Sequence, residues 1–199
     1  MPTKRKPAYG PCTQGPRAAH DSGIRPAAAI RMIVVHSAEA SDDVGEDRTA
    51  EGVASFFANP RTKASTQLAV DSDSCVRMLP DLVIPWGATG GNTHGVHVEI
   101  CGRASWTKEQ WLDKRHSKML DRAAFKVAVW CYQYRIPAAW IRAKGVANGY
   151  KGITTHKDIN DAFDRGTHWD PGPGFPSAEF LELVKKHLAI IREDRNPKP

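Results

Sequence analysis

Residues 31–37, RMIVVHS, form a short apolar run that is rich in β-branched residues and includes His36 near its end. Such a run predicts a strand that is buried in a sheet. The segment 95–102, GVHVEICG, alternates as another strand, and the segment 65–80, STQLAVDSDSCVRMLP, predicts a hairpin because a polar turn joins two apolar runs. These strands predict the central sheet of the fold.

Helical patterns lie between and after these strands. One helix is predicted before Asn59-Pro60, and a long one is predicted from a capping box at Thr107 and Gln110 to Ile136. A closing amphipathic helix is predicted in residues 177–194. The apolar positions of the first helix are Ala50, Val53, Ala54 and Phe57. Those of the long helix are Trp111, Met119, Ala123, Val127, Trp130 and Tyr134, and those of the closing helix are Phe180, Val184, Leu188 and Ile191. Strands alternating with helices predict an α/β fold, a single domain with a mixed central β-sheet flanked by helices.

The size and composition of the chain fit one domain. It has 199 residues, of which 41% are hydrophobic and 25% are charged. We expect an irregular N-terminal lead-in at 1–23, a catalytic domain at 24–193 and a polar tail at 194–199. No apolar stretch reaches the roughly 18 residues of a membrane span, so no membrane insertion is expected. The basic start is followed by Pro, Gly and Thr rather than an apolar core, which argues against a Sec signal peptide.

The net charge indicates the class of binding partner, and the cysteines indicate the redox compartment. A net charge of +6 favours anionic partners. Anionic wall polymers fit as well as nucleic acid, and no RNP motif, zinc finger or basic heptad repeat is present, so nucleic acid is not the expected partner. The four cysteines are scattered without a C-x-x-C pair, which favours reduced thiols in a cytosolic product over one or two disulfides. We expect a monomer.

Three side chains form a candidate metal site. His36 ends a predicted strand, His156 lies in a predicted loop, and Asp170 lies within THWDPGPGFP at 167–176. Two imidazoles and a carboxylate make a catalytic zinc set that leaves a fourth position for water. The prolines restrict the backbone beside Asp170, and the glycines allow a close chain approach. Taken singly, a histidine at a strand end is more often structural, and a Pro-Gly segment is more often an ordinary turn.

Five segments together resemble a known family. They are IVVHSA at 33–38, STQLAVDSDSCVRMLPD at 65–81, IPWGATGGNTHGVHVEICG at 84–102, ITTHKDI at 153–159 and THWDPGPGFP at 167–176. In this order they are similar to motifs of the zinc-dependent N-acetylmuramoyl-L-alanine amidases, the group that includes phage amidase endolysins and peptidoglycan recognition proteins. The resemblance implies the fold of that group.

The resemblance also implies roles for single residues. It implies that His36, His156 and Asp170 bind one Zn²⁺ and that Glu99 is the general base. His168 stands where many members have a lysine that stabilises the transition state. An imidazole titrates near about 6.5, so we expect assistance by His168 to weaken at alkaline pH.

Residues expected to contact substrate complete the site. Trp86 and Asn92 are retained from the family pattern and, with Trp169, suit a groove for glycan and stem peptide, although core packing explains a tryptophan as well. His97 stands where the family has glycine, and it is expected either to line the cleft or to be packed away from it. The chain departs from the family pattern at Gln67, Leu68, Gly87, His97 and His168.

The function implied is hydrolysis of the amide bond between N-acetylmuramic acid and the L-alanine of the stem peptide in bacterial peptidoglycan. The expected setting is phage-mediated lysis, with the enzyme made in the host bacterial cytoplasm and then released to the cell wall. Three other functions remain open. They are a recognition module of the same fold that does not cut, a bacterial recycling or autolytic amidase, and a basic nucleic-acid binder with salt-dependent affinity.

Overall fold

The computed structural model describes residues 9–40 and 49–195, which form one mixed sheet with helices on both sides. The strands are β1 Thr13–Gln14, β2 Met32–Ser37, β3 Leu68–Val70, β4 Cys75–Arg77, β5 Gly95–Ile100 and β6 Gly152–Thr155. The helices are α1 Thr49–Ala58, α2 Lys108–Trp111, α3 His116–Gln133, α4 Ala143–Ala147, α5 His156–Phe163 and α6 Ser177–Arg195. A short 3₁₀ helix occupies Ala27–Ala29. The predicted α/β class is confirmed.

The sheet has the order β1-β4-β3-β5-β2-β6. The β3–β4 pair is antiparallel, which confirms the predicted hairpin, and every other pair is parallel. All residues of β2 and β5 are buried, as expected of strands covered on both faces. Parallel neighbours end at the same edge of the sheet, so the carboxyl ends of β2, β5 and β6 lie together.

Two apolar clusters cover the sheet. The larger one joins α1, α3 and α6 to the strands, and Ile33 and Val35 of β2 belong to it. The smaller one contains Met32 and Val34, the alternate residues of β2, together with Ile159 of α5. Because side chains alternate across a strand, His36 points to the same face as Met32 and Val34.

The predicted long helix is two helices. The capping box at Thr107 and Gln110 is present, but α2 ends at Trp111. The side chain of Asp113 accepts hydrogen bonds from the backbone N–H groups of Arg115 and His116, at 2.9 and 2.7 Å, and so helps to begin α3. The apolar stripe continues across the break because Trp111 and Met119 are both buried, which explains why periodicity alone missed it.

The lead-in is tied to the sheet more firmly than its composition predicts. The strand β1 adds a parallel edge to β4, and Cys12 forms a disulfide with Cys75. The prediction that all four cysteines are reduced is therefore wrong for this pair, while Cys101 and Cys131 are buried thiols. Scattered spacing could not reveal the pair, because Cys12 and Cys75 are 63 residues apart in sequence and meet only through strand pairing. The closing helix, predicted for 177–194, is observed as α6 at Ser177–Arg195.

Among the helices of the described residues, none is both long enough and apolar enough to cross a membrane. Most of the predicted polar tail lies outside the described residues.

Candidate metal centre

The three predicted metal ligands meet at one edge of the sheet. Val35 of β2 pairs with Thr155 of β6, so the next residues, His36 and His156, face each other where both strands end. His156 is the first residue of α5 rather than a loop residue as predicted, because Thr155 caps the helix by accepting a hydrogen bond from Asp158 N–H. This cap fixes the start of α5 and so the backbone that carries His156.

The third ligand is carried by the segment 170–174, which packs against the loop at 103–107. A Cβ added to Gly172 would lie 1.9 Å from Ala104 O, and one added to Gly174 would lie 2.0 Å from Trp106 O. Glycine is therefore required at both positions for the backbones to approach. The carbonyl of Asp170 also accepts a hydrogen bond from Lys157 N–H at 3.2 Å. The close approach predicted for this segment is thus observed.

The donor atoms converge. Nδ1 of His36 lies 3.1 Å from Oδ2 of Asp170, and Nδ1 of His156 lies 3.1 Å from Oδ1. One ligand atom from each residue lies within 4.8 Å of the other two. Ligand atoms in a tetrahedral zinc site are about 3.4 Å apart, as follows from bond lengths of about 2.1 Å. The residues present therefore fit a zinc ion.

The surroundings of Asp170 favour its ionised form. Burial by itself raises its pKa, but the hydrogen bonds from His156 and His36 and the charges of both rings outweigh burial and hold the pKa well below its usual range. A carboxylate that stays ionised while buried is suited to bind a cation, and the two neighbouring imidazoles supply the remaining donors.

A second carboxylate lies beside this donor set. Glu99 is paired in register with His36 on the neighbouring strand, so its side chain lies on the same face of the sheet. It is buried yet lines the cleft. Burial first, and then the charge of Asp170, raises the pKa of Glu99 to about 8. A carboxyl group with a raised pKa is a suitable general acid or base.

His168 lies on the solvent side of the donor set. Its ring stacks on His156, with centroids 4.3 Å apart, and its Nδ1 is 3.7 Å from Oδ1 of Asp170. The side chain remains 67% exposed. Burial first, and then the charge of His156, lowers its pKa. It can reach a substrate in the cleft, and the expectation that its assistance weakens at alkaline pH stays a prediction.

The structure places His97 away from the cleft. It has no exposed surface, and its Nδ1 lies 3.0 Å from Nε2 of His36, on the side of that ring opposite Asp170. The expectation that His97 contacts substrate is therefore corrected in favour of the packed option. The reason is its position in β5. His97 pairs with Val34 and lies two residues before Glu99, farther from the end of the strand where the donors meet.

The donor set opens into a cleft with two parts. A part of about 900 Å³ is bordered by α1 and by Trp169, which is half exposed. A more polar part of about 690 Å³ is bordered by Trp86 and Asn92. His156 and His168 border both parts. Trp86 and Trp169 are thus placed for substrate contact, and their predicted role stays a prediction.

Asn92 also has a structural role. Its Oδ1 accepts hydrogen bonds from the N–H groups of Gly87 and Ala88, at 3.0 and 2.7 Å, and so shapes the loop beside the polar part of the cleft. Trp86 is supported from the lead-in, since its Nε1–H donates to Ser22 Oγ at 2.8 Å and its indole stacks on His20. The lead-in therefore contributes to the wall of the cleft.

Sequence reasoning missed several residues that border the cleft. Glu39 accepts hydrogen bonds from Ser37 Oγ and Ala104 N–H, which joins the end of β2 to the loop under Asp170. Lys63 and Arg165 give the polar part a positive charge, and Phe56 gives the other part an exposed apolar wall. No spacing signal marks these residues, because they lie on loops or on the outer side of α1.

An α/β domain with two imidazoles, a carboxylate donor and a second buried carboxylate at the floor of an open cleft has the side chains of a metal-dependent hydrolase. The sequence profile of the N-acetylmuramoyl-L-alanine amidase family matches residues 26–173, and the chain belongs to that family. It is thus an enzyme of the peptidoglycan amidase class. A search of curated protein sequences found no match.

Solved structures of low sequence identity share the fold. The Staphylococcus aureus hydrolase AmiA, solved with its ligand, is 17% identical with a TM-score of 0.68, covering 98% of each chain. A mutant endolysin from Bacillus subtilis is 21% identical with a TM-score of 0.54, covering 91% of this chain and 98% of the other. The Clostridium intestinale endolysin and N-acetylmuramoyl-L-alanine amidase LysCS is 13% identical with a TM-score of 0.50, covering 87% and 95%.

Proposed function

We propose that the protein is a zinc-dependent hydrolase of peptidoglycan that cleaves the amide between N-acetylmuramic acid and the L-alanine of the stem peptide. The observation that carries the proposal is the convergence of His36, His156 and Asp170 at the floor of the cleft. These residues would hold one Zn²⁺ ion. When bound, zinc supplies Lewis-acid chemistry, since it polarises a carbonyl group and lowers the pKa of water to about 7.

The protein's own side chains supply the proton transfers. Glu99 accepts a proton from the attacking water and passes it to the amine that leaves, and its position next to His36 in the sheet suits both steps. His168 donates a hydrogen bond to the carbonyl oxygen as negative charge develops there. Its exposed position at the mouth of the donor set supports this role.

The cleft supports a glycan and peptide substrate. The carbohydrate and the stem peptide lie on either side of the scissile amide, and the cleft likewise has two parts, both of which His156 and His168 border. The aromatic rings of Trp86 and Trp169 border one part each and offer apolar faces to sugar rings or methyl groups. The net charge of +6 favours association with anionic wall polymers.

The test combines metal analysis with wall digestion. We expect near-stoichiometric zinc in the wild type, release of new L-alanine amino termini from purified sacculi, and loss of activity with chelator that zinc restores. His156→Ala should lower zinc content strongly, whereas Lys157→Ala, at the next position and on the outer surface, should keep it. Equal, near-stoichiometric zinc in the wild type and His156→Ala would remove His156 from the ligand set.

The same experiment separates a recognition module of this fold, which would bind sacculi without releasing amino termini. The presence of all three donors and of Glu99 supports the enzyme. DNA binding that weakens steeply with salt, together with indifference to chelator, would instead indicate a nucleic-acid binder.

We further propose that the substrate is the intact wall and that the biological role is phage-mediated lysis of a host bacterium, with synthesis in the host cytoplasm and release to the wall. The likeness to endolysin structures supports this proposal. A recycling amidase would prefer soluble muropeptides, so the ratio of rates on sacculi and on soluble fragments decides between the two roles.

A further inference from the structure

Behind the proposed ligand His36 lies a second imidazole that the catalytic proposal does not use. His97 is completely buried, and its ring is nearly parallel to that of His36, with 22° between the ring planes and 5.2 Å between the centroids. Its Nδ1 lies 3.0 Å from His36 Nε2, whereas His36 Nδ1 faces Asp170. Both nitrogens of His36 therefore have a partner, one on the side of the donor set and one inside the protein.

Two glycines make the space for the His97 ring. A Cβ on Gly87 would lie 2.4 Å from Nδ1 of His97, and a Cβ on Gly95 would lie 2.7 Å from Nε2. Neither glycine has a positive φ, so backbone conformation does not demand glycine at either position. The requirement is steric, because any larger residue would displace the imidazole from His36.

A buried amide fixes the backbone that carries the ring. His97 N–H donates to Gln67 Oε1 at 2.8 Å, and Gln67 N–H donates to His97 O at 3.2 Å. Gln67 Nε2 donates in turn to Val83 O, and Gln67 is fully buried. Gln67, Gly87 and His97 are three of the five positions at which the sequence departs from the family pattern. They form one contact cluster, because Gln67 and Gly87 both contact His97.

The hydrogen bond between the rings determines where their protons lie. A ligand nitrogen must offer its lone pair, so when His36 binds zinc through Nδ1 its proton is on Nε2. That Nε2–H can donate only to a nitrogen without a proton, which makes Nδ1 of His97 the acceptor and leaves the His97 proton on its own Nε2. Within the described chain Nε2 of His97 has no hydrogen-bond partner, so no group on that side competes with His36 in choosing the tautomer.

We infer that His97 is a positioning residue that accepts the Nε2–H of His36 and thereby fixes the tautomer and the ring orientation of that ligand. Partners of this kind, usually a carboxylate or a backbone carbonyl, hold metal-binding histidines in other proteins. An imidazole does the same here, in a space that Gly87 and Gly95 leave open. The inference rests on the zinc centre of the proposed function.

The first test uses the wild type and needs no substitution. In zinc-loaded protein labelled with ¹⁵N-histidine, we expect His97 to carry its proton on Nε2 and to have an unprotonated Nδ1. We also expect His36 to carry its proton on Nε2. A proton on Nδ1 of His97 in the loaded protein would overturn the inference, because that nitrogen could not then accept from His36.

The second test compares two variants of similar size. His97→Asn keeps an acceptor near the position of Nδ1, whereas His97→Leu removes it. We expect the leucine variant to bind Zn²⁺ about 10 to 100-fold more weakly than the wild type, measured by competition with a chromophoric chelator. The asparagine variant should stay within about 3-fold of the wild type, since the acceptor rather than the ring is what His36 requires.

A matched control removes another buried histidine. His187 is 4% exposed and contacts Asp121 far from the zinc ligands, so His187→Leu should lose stability and keep its zinc affinity. Equal zinc affinity in His97→Leu and His97→Asn would overturn the inference while leaving the zinc centre intact. Absence of zinc binding by the wild type would remove the zinc centre and the inference together.

Discussion

At the scale of single residues, the proposed role of Glu99 in proton transfer can be tested separately from the proposed role of the three donors in metal binding. Glu99→Gln keeps the size and polarity of the side chain but cannot accept a proton. Because Glu99 is not one of the three donors, we expect the variant to keep its zinc content while kcat falls by about 10² to 10⁴-fold. The measurements are zinc analysis and initial rates on purified sacculi. A rate within a few-fold of the wild type at full zinc content would exclude Glu99 as the general base.

Lys126, on α3 and distant from the cleft, gives a prediction about pH and stability. Burial first, and then the charges of Arg122 and Arg77, lowers its pKa to about 8 from 10.5. Between these values the unfolded chain binds more protons than the folded protein, so this lysine's contribution to stability increases as pH rises. Its ammonium group donates to Gly10 O and lies 5.1 Å from the centre of the Phe125 ring.

Lys126→Met removes this titration and keeps the length of the side chain. We expect the free energy of unfolding of the wild type, minus that of the variant, to increase by on the order of 1 kcal/mol between about pH 7.5 and about pH 10. Denaturant titrations at several pH values, in chelator, measure this difference. A difference that is constant across the range would show that Lys126 titrates alike in both states.

At the scale of elements, sequence patterns located most strands and helices because apolar periodicity reports burial directly. A continuous β-branched run gave β2, an alternating run gave β5, and helical spacing gave α1 and α6. The break between α2 and α3 was missed because it depends on Asp113, whose side chain accepts from local backbone groups without altering the apolar stripe.

For the candidate site, the sequence predicted that the three donors meet but did not predict that His97 is buried. The three donors occur at the ends of recognisable segments, and they converge as predicted. The burial of His97 could not be read from its strand, since alternation gives the face of a side chain but not its depth behind the edge. Its contacts with Gln67 and Gly87 depend on register between segments that are far apart in the sequence.

The close packing of segment 170–174 can be tested by substitution at Gly172. In Gly172→Ala the new methyl group would clash with the carbonyl of Ala104, and the φ of 89° disfavours any side chain. We expect a loss of about 2 to 4 kcal/mol in the free energy of unfolding, and weaker zinc binding because Asp170 moves with the segment. Denaturant unfolding in chelator and zinc competition measure the two effects.

Gly52→Ala is the matched control for this substitution. Gly52 lies within α1 with no atom near the position of an added Cβ. Alanine is the better helix former, so this variant should gain about 0.5 to 1 kcal/mol. If Gly172→Ala were as stable as the wild type, the close packing of 170–174 on the loop at 103–107 would not be needed to hold Asp170.

At the scale of the whole molecule, the lead-in and the cleft beside the three donors are parts of one structure. The lead-in supplies β1, the disulfide partner of β4 and the support behind Trp86. Tyr9 donates a hydrogen bond to Asp121, which fixes the start of the described chain to α3. An N-terminal truncation before residue 24 would therefore remove an edge strand and part of the cleft wall.

The Cys12–Cys75 bond joins residues that are 63 positions apart in the sequence. A disulfide of this kind restricts the unfolded chain and typically stabilises the folded protein by about 2 to 4 kcal/mol. We expect the double variant Cys12→Ala/Cys75→Ala to melt about 5 to 15 °C below the wild type. Zinc content should not change, because neither cysteine lines the cleft. Reductant should lower the melting temperature of the wild type and leave that of the double variant unchanged. Because a reducing environment keeps such pairs as thiols, the protein would reach full stability only under oxidising conditions. Melting curves that are identical with and without reductant would show that this bond contributes nothing to the fold.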